Sequence, residues 1–298
     1  MVVELKARFD EERNIAWARK LEQSGCHVVY GLVGLKTHAK VTLIVRQEGL
    51  ELRRYVHVGT GNYNDSTAKA YTDLSLFTAN NEIGLDASEL FNQMTGYSTN
   101  YNWKSFIVAP TNMSLSLQKL ILREAEHAAA GRPARIIAKM NSLSNQEVID
   151  NLYSAAQAGV SIDLIVRGVC CLRPGIEGLS ERITVRSIVD RFLEHSRIYY
   201  FENGGKPEVY LSSADWMTRN LTRRIELMCP VMDNTIRKQI VKILDLTLKD
   251  NVKASFLQPN GYYERPDDKK APFRSQFAAM DVIHWKGSRA LSSPTKHS

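Results

Sequence analysis

Apolar positions along the chain fall into two periods. In residues 14–23, Ile15, Ala18 and Leu21 recur at helical spacing, Gly25 stops the pattern, and an apolar run over 26–30 reads as a strand. The same order returns later. Residues 146–157 place Val148, Leu152 and Ala156 on one helical face, Gly159 ends the helix, and 160–166 form an unbroken apolar run. Such alternation predicts an α/β protein of two similar halves, each a mainly parallel or mixed sheet flanked by helices. A further helix is expected over 114–129. A late amphipathic helix is marked by Ile236, Ile240, Ile243, Leu244 and Thr247.

The repetition extends to residues with chemistry. His38 is followed two positions on by Lys40 at the start of a strand over 39–45, and His195 by Arg197 at the start of a strand over 198–201. Downstream, each half has a small-residue turn: Gly59, Thr60, Gly61, Asn62 in the first, and Ser212, Ser213, Ala214, Asp215 in the second. Gly59 precedes Asp73 by fourteen positions, and Ser212 precedes Glu226 by fourteen. Tyr63 and Trp216 fall at the same step, and the pair Tyr71 and Asp73 stands opposite Arg224 and Glu226. Matched spacing over this many residue types marks an internal repeat.

Residues two apart on a strand share a face, so a strand-borne histidine and the cation after it can address one phosphate. The imidazole serves as nucleophile or proton carrier, the cation offsets charge on the oxygens, and small turn residues let backbone donors approach. Two such units suit phosphoryl transfer through a covalent histidine, which needs an attacking group on one side and a proton manager on the other. His27, His127, His284 and His297 lack this context and read as structural. His57, just before the glycine turn, is a candidate for lining the site.

Composition narrows the partners. The 298 residues are 44% hydrophobic, enough for real cores, with no run long enough to span a bilayer. The net charge of +7 favours polyanionic partners. Cys26, Cys170, Cys171 and Cys229 show no CxxC spacing, which argues against a zinc site or disulfide framework. The first residues lack the basic and apolar regions of a signal peptide, so a cytoplasmic location is expected.

Long motifs carry a resemblance to a known family. They include Ala7-Arg8-Phe9-Asp10-Glu11-Glu12, Gly34-Leu35-Lys36-Thr37-His38-Ala39-Lys40, and Arg53-Arg54-Tyr55-Val56-His57-Val58-Gly59-Thr60-Gly61-Asn62-Tyr63-Asn64. Ala70-Tyr71-Thr72-Asp73, Leu164-Ile165-Val166-Arg167-Gly168 and Ser187-Ile188-Val189-Asp190-Arg191-Phe192-Leu193-Glu194-His195 continue the series. Phe201-Glu202-Asn203-Gly204-Gly205 and Tyr210-Leu211-Ser212-Ser213-Ala214-Asp215-Trp216-Met217-Thr218-Arg219-Asn220 complete it. In these stretches the chain resembles the carboxy-terminal catalytic half of the polyphosphate kinases, built from two phospholipase-D-like domains. The resemblance implies reversible transfer of the terminal phosphate of ATP to inorganic polyphosphate, with magnesium, through a phosphohistidine. His38 matches the phosphorylated histidine and His195 its partner. Tyr71 and Arg167 match positions that contact the nucleotide, Lys40 and Arg197 accompany them as phosphate-binding cations, and Arg8 matches an arginine at the magnesium and phosphate site. Arginine has no lone pair for a metal, so Arg8 is expected to hold phosphate oxygens that themselves bind magnesium.

The expected divisions are a first catalytic domain over 1–105, lacking its amino-terminal part, a second over 106–285, and a disordered tail over 286–298. The family's full chain carries further regions before the catalytic pair. ATP and polyphosphate are the expected partners, nucleic acid is not, peripheral membrane association is left open, and a homo-oligomer is expected for the full-length parent. Two other readings stand beside the kinase: a phospholipase-D-like phosphodiesterase, and a polyanion-binding fragment without turnover. The wider phospholipase D pattern wants an aspartate seven positions after the histidine. Here Val45 and Glu202 stand in those places, which argues against the phosphodiesterase.

Overall fold

The computed structural model of the chain describes residues 1–5, 11–32, 34–96, 102–266 and 270–283. Arg8, His284, His297 and the tail over 286–298 lie outside the described residues.

The first half runs β1 (Val2–Val3), α1 (Glu11–Gln23), β2 (Val29–Tyr30), β3 (Lys36–Thr37), β4 (Lys40–Glu48), β5 (Glu51–Gly59), α2 (Asp65–Ala68), β6 (Tyr71–Thr72), β7 (Ser75–Thr78) and α3 (Asn81–Met94). The expected helix over 14–23 lies within α1, whereas the apolar run over 26–30 yields only the two residues of β2, paired with β1. Strands β4, β5 and β7 form an antiparallel sheet. Its inner face, with Val56, Val58 and Leu76, packs beneath Ile83, Ala87 and Leu90 of α3. Asn80 caps that helix by accepting the amide hydrogen of Ile83.

The second half runs β8 (Ile107–Ala109), α4 (Met113–Ala129), β9 (Arg135–Met140), α5 (Gln146–Gln157), β10 (Ser161–Val166), β11 (Ile183–Ile188), β12 (Leu193–Glu194), β13 (Arg197–Phe201), β14 (Glu208–Ser212), α6 (Thr218–Thr222), β15 (Arg224–Pro230), α7 (Asn234–Leu248), β16 (Ala254–Leu257), β17 (Tyr263–Glu264) and α8 (Ser275–Ile283). The expected helix 146–157 coincides with α5, and 114–129 begins one residue earlier as α4. The sheet order is β17-β16-β11-β10-β9-β13-β14-β15-β3, with β8 also on β15. Neighbouring strands pair parallel at β9–β10, β10–β11 and β15–β3 and antiparallel elsewhere, so the sheet is mixed. The helix-to-strand alternation that signals parallel pairing covers only β9, β10 and β11; β13, β14 and β15 follow one another with short connections and pair antiparallel.

The central strands are buried on both faces, which explains their near-continuous apolar sequence. In β13, Tyr199 and Phe201 join the core beneath α4 and α5, while Ile198 and Tyr200 join the core on the opposite face. That second core also contains Val56, Val58, Leu76 and Leu90 of the first half together with Ile240 and Leu244 of α7. The two halves therefore share one apolar core. Close packing there fixes how they sit together.

Candidate active site

Two short parallel strand pairs cross between the halves. β3 pairs with β15, Lys36 opposite Arg224 and Thr37 opposite Ile225, and β6 pairs with β12, Tyr71 opposite Leu193 and Thr72 opposite Glu194. In repeat terms these are the same pairing made twice. The residue after each pair is a histidine, so each histidine leaves its own half and enters the other. His38 and Ala39 both donate backbone hydrogens to the carbonyl of Ile225 at 2.9 Å. His195 and Ser196 do the same to Thr72 at 3.3 and 2.9 Å. Neither histidine is inside a strand: each occupies the break before β4 or β13, and the cation two positions on begins the strand.

The break directs both cations beneath the histidines. Lys40 Nζ donates to the carbonyl oxygen of His38, and Arg197 Nη1 donates to that of His195 at 2.9 Å. Both are buried, at 5% and 4% exposure. They differ in their partners. Arg197 also forms a two-pronged ion pair with Asp215 at 3.1 Å for each oxygen, whereas the matching position in the first half is Asn62. Burial, then repulsion from Arg197, lowers the Lys40 ammonium to a pKa of about 7 despite attraction from Glu226. Arg197 is raised despite its burial, because Asp215 faces it.

Each histidine is held by a carboxylate from the opposite half. His38 Nδ1 lies 2.9 Å from Glu226 Oε2, and His195 Nδ1 lies 2.8 Å from Asp73 Oδ1. Glu226 is surrounded by donors: Asn220 Nδ2 at 2.5 Å on one oxygen and the Ser213 hydroxyl on the other. Asp73 accepts the Thr60 hydroxyl at 2.6 Å. Burial would raise Asp73, but the His195 hydrogen bond, Thr60 and Arg197 bring it below its ordinary value. An acceptor-only carboxylate fixes the imidazole as the Nδ1–H tautomer and leaves the lone pair on Nε2. Both histidines are lowered in pKa, His38 by burial, which with Lys40 and Arg197 outweighs Glu226, and His195 by burial, which with Arg197 outweighs Asp73.

The two turns repeat down to single atoms. Thr60 donates its backbone hydrogen to Leu74 O at 3.0 Å and its hydroxyl accepts from Leu74 N at 3.0 Å. Ser213 makes the matching bonds with Leu227 at 2.9 and 3.0 Å. Tyr63 and Trp216, matched in sequence, diverge: Tyr63 is 63% exposed and Trp216 is wholly buried.

Around this centre, Tyr71 stacks at a tilt against His195 with ring centroids 5.0 Å apart. Arg167 Nε donates to Asn141 Oδ1 at 2.9 Å, and Asn141 Nδ2 donates to the His195 carbonyl at 3.0 Å, so Arg167 joins the centre through Asn141. Arg224 Nη1 lies 4.0 Å from Glu226. A cavity of about 780 Å³ opens beside Asp73 and Tyr71, lined also by Thr42, His57, Tyr63 and Phe77. His57 Nδ1 is 2.7 Å from the Tyr63 hydroxyl, so His57 lines this cavity rather than the histidine centre. Arg197 Nη1 lies 3.1 and 3.4 Å from the two ring nitrogens of His195, near-equal distances that put it over the ring face rather than in its plane.

The structure thus gathers His38, His195, Lys40, Arg197, Tyr71 and Arg167, while Arg8 falls outside the described residues. Asp73 and Glu226 were visible as matched positions but without a role, and Asn141 carried no sequence signal. Among the described residues no group of three or more His, Cys, Asp or Glu side chains converges to hold a metal ion. Asp73 and Glu226 already accept from a histidine and a hydroxyl, and they do not fit a resident metal.

Residues 106–276 match the model of polyphosphate kinase C-terminal domain 2, and residues 1–100 that of C-terminal domain 1. A polyphosphate kinase of Synechocystis sp. is 59% identical over 263 residues, covering 88% of this chain and 36% of the relative. One from Halalkalibacterium halodurans is 52% identical over 284 residues, covering 95% and 40%. The crystal structure of polyphosphate kinase from Porphyromonas gingivalis superposes with a TM-score of 0.87 at 42% identity, covering 95% of this chain and 43% of that one. The chain spans less than half the length of these three proteins.

Proposed function

The chain belongs to the polyphosphate kinase family, and we propose that its paired histidines carry the terminal phosphate of ATP to inorganic polyphosphate through a phosphohistidine at His38. The observation that carries this reading is the exchanged carboxylates. Each histidine is held with its Nε2 lone pair available, and among the described residues the His38 ring shows no hydrogen-bond contact to a guanidinium of the kind Arg197 makes with His195.

In the forward step the Nε2 lone pair of His38 attacks the terminal phosphorus, the nitrogen–phosphorus bond forms, and the bond to the bridging oxygen breaks with its electrons leaving on ADP. The imidazole gains positive charge as it is phosphorylated, and Glu226, held in place by Asn220 and Ser213, offsets that charge through Nδ1–H. Lys40 lacks a carboxylate mate of the kind Arg197 has, so an arriving phosphate supplies its counter-charge. His195, braced by Asp73, steers the phosphate or accepts a proton at Nε2. A terminal oxygen of polyphosphate then attacks the phosphohistidine and frees the imidazole. Magnesium bound to the nucleotide would supply neutralisation of phosphate charge. Tyr71 and Arg167 border the nucleotide, with the 780 Å³ cavity beside Tyr71 available to its base and sugar.

The test is chemical. A polypeptide carrying this region within the family's full length, given labelled ATP and magnesium, should acquire label stable to alkali, lost in mild acid, and chased into polyphosphate or back to ATP by ADP. Full labelling after His38→Ala would overturn the mechanism, and release of an alcohol from a phosphodiester would move the assignment to the phosphodiesterase.

A further inference from the structure

Behind His195 sits a buried charged network that the phosphate chemistry does not use. Glu194 ends β12 with its carboxylate on Lys139, Thr72 and Gln276, while the next residue, His195, turns to Asp73. Glu194 Oε2 forms an ion pair with Lys139 Nζ at 2.9 Å and accepts the Thr72 hydroxyl at 3.2 Å; its Oε1 accepts Gln276 Nε2 at 2.7 Å. Lys139 is 2% exposed and donates also to the Ser196 hydroxyl at 2.7 Å. Gln276, on α8, grips the backbone of Phe192 with both ends of its amide: Phe192 N donates to Oε1 at 3.0 Å and Nε2 donates to Phe192 O at 2.8 Å.

These bonds hold residues 192, 194 and 196, the three that flank or alternate with His195, and they hold Thr72, which precedes Asp73. Every group in the network is satisfied by another, as a buried polar network must be to rigidify its surroundings. A cavity of about 370 Å³ lies against it, bordered by Leu74, Ile243, Ala279 and Met280. Packing alone does not hold the strand on that side, so the bonds do. The first half has no counterpart among the described residues: Thr37 stands where Glu194 stands, and its hydroxyl has no hydrogen-bond partner.

We infer that Lys139, Glu194 and Gln276 are positioning residues for His195, locking β12 against β6 so that the His195–Asp73 hydrogen bond keeps a single imidazole tautomer. Small displacements at a reacting group cost rate steeply, and outer partners of this kind hold histidine tautomers elsewhere. The lock acts on one histidine of the pair, and it couples that histidine to α8. Glu194 would be raised by its burial, but Lys139, Gln276 and Thr72 hold it below its ordinary value, which keeps the carboxylate charged.

The inference rests on His195 taking part in phosphate transfer, but its test needs no turnover and so fails separately from that reading. The protein is labelled with ¹⁵N at histidine, His195 is assigned by its loss in His195→Ala, and ring nitrogen shifts are read above the imidazole pKa. Wild type should show His195 as the Nδ1–H tautomer alone. Glu194→Gln should give a mixture, with His38 unchanged as the internal control. Because Glu194→Gln leaves Lys139 buried without its mate, it is paired with Gln276→Met, which keeps the ion pair and removes the grip on Phe192, with folding checked by the unchanged His38 ring shifts. Gln276→Met should also give a mixture at His195. A single unchanged tautomer at His195 in Gln276→Met overturns the inference, as does a change at His38 of the same size as at His195.

Discussion

Glu226 accepts the Nδ1 hydrogen of His38 at 2.9 Å although 188 residues of chain separate them. The mirror bond, His195 to Asp73, spans 122 residues in the opposite sense, second half to first. Each half contributes a histidine to the other half's acid, and the sharing of one apolar core holds both bonds at once.

The two acids should therefore be separable by experiment. Glu226→Gln replaces an acceptor with a group that can also donate, so the His38 tautomer is no longer fixed. Formation of alkali-stable label should slow by about a hundredfold to ten-thousandfold. Asp73→Asn should leave labelling less affected and slow onward transfer to polyphosphate instead. Rapid-quench measurement of the two steps distinguishes them, and equal effects on both steps would refute the division of roles.

Lys40 should make the protein more stable in mild alkali. In the unfolded chain its ammonium titrates near 10.5, and in the folded protein near about 7. Between those values the unfolded chain binds a proton that the folded one lacks, so stability rises with pH across that window. Lys40→Met should be more stable than wild type at pH 7, with the gap closing as pH approaches 10. Urea denaturation at several pH values checks the sign; a gap that widens with pH contradicts it.

Anion binding should return that proton. At a pH near 8, polyphosphate seated against Lys40 restores its charge, so binding takes up hydrogen ions. Calorimetry in buffers of different ionisation enthalpy should show uptake in wild type and a smaller uptake in Lys40→Met.

Affinity for polyphosphate should fall as salt rises, because the basic centre releases counterions from a dense polyanion. Arg224→Ala should weaken binding and reduce the slope of log affinity against log salt by about one. An unchanged slope would place Arg224 away from the polyphosphate path.

Gly61 leaves room for the acid of its own half. A Cβ there would lie 2.3 Å from Asp73 Oδ2, closer than any real contact allows. Gly61→Ala should cost about 1–3 kcal/mol of stability and weaken the bond to His195. Denaturant unfolding measures the first and the His195 ring shifts the second. The second half has Ala214 at this place, and there the acid is the longer Glu226.

The two histidines, their cations and the acids at matched distances were all legible in the sequence, because a repeat shows itself as types returning at fixed spacing. The pairing of His38 with Glu226 was not. Spacing says nothing of which acid meets which histidine, and the exchange follows from β3 and β6 pairing across the halves, two-residue strands with no pattern of their own. The helix α5 was legible to its ends because Asn145 caps it and Gly159 follows it. Antiparallel order in the first half was less so: β4 and β5 form a long hairpin whose tip, Gly49 and Leu50, interrupts a polar stretch without an apolar alternation to announce it. Asn141 was silent because a lone asparagine becomes a bridge only when Arg167 and the His195 carbonyl come together around it.

The 188 positions from His38 to Glu226 also set an order in time. A ribosome adds about 5–20 residues per second, so His38 is made roughly ten to forty seconds before its acid. Through that interval the nascent chain carries an imidazole whose tautomer nothing fixes and a lysine with no buried site to lower its pKa. Synthesis of the second half completes the surroundings of the first half's histidine. A chain released short of Glu226 would lack the carboxylate that holds the His38 ring in place.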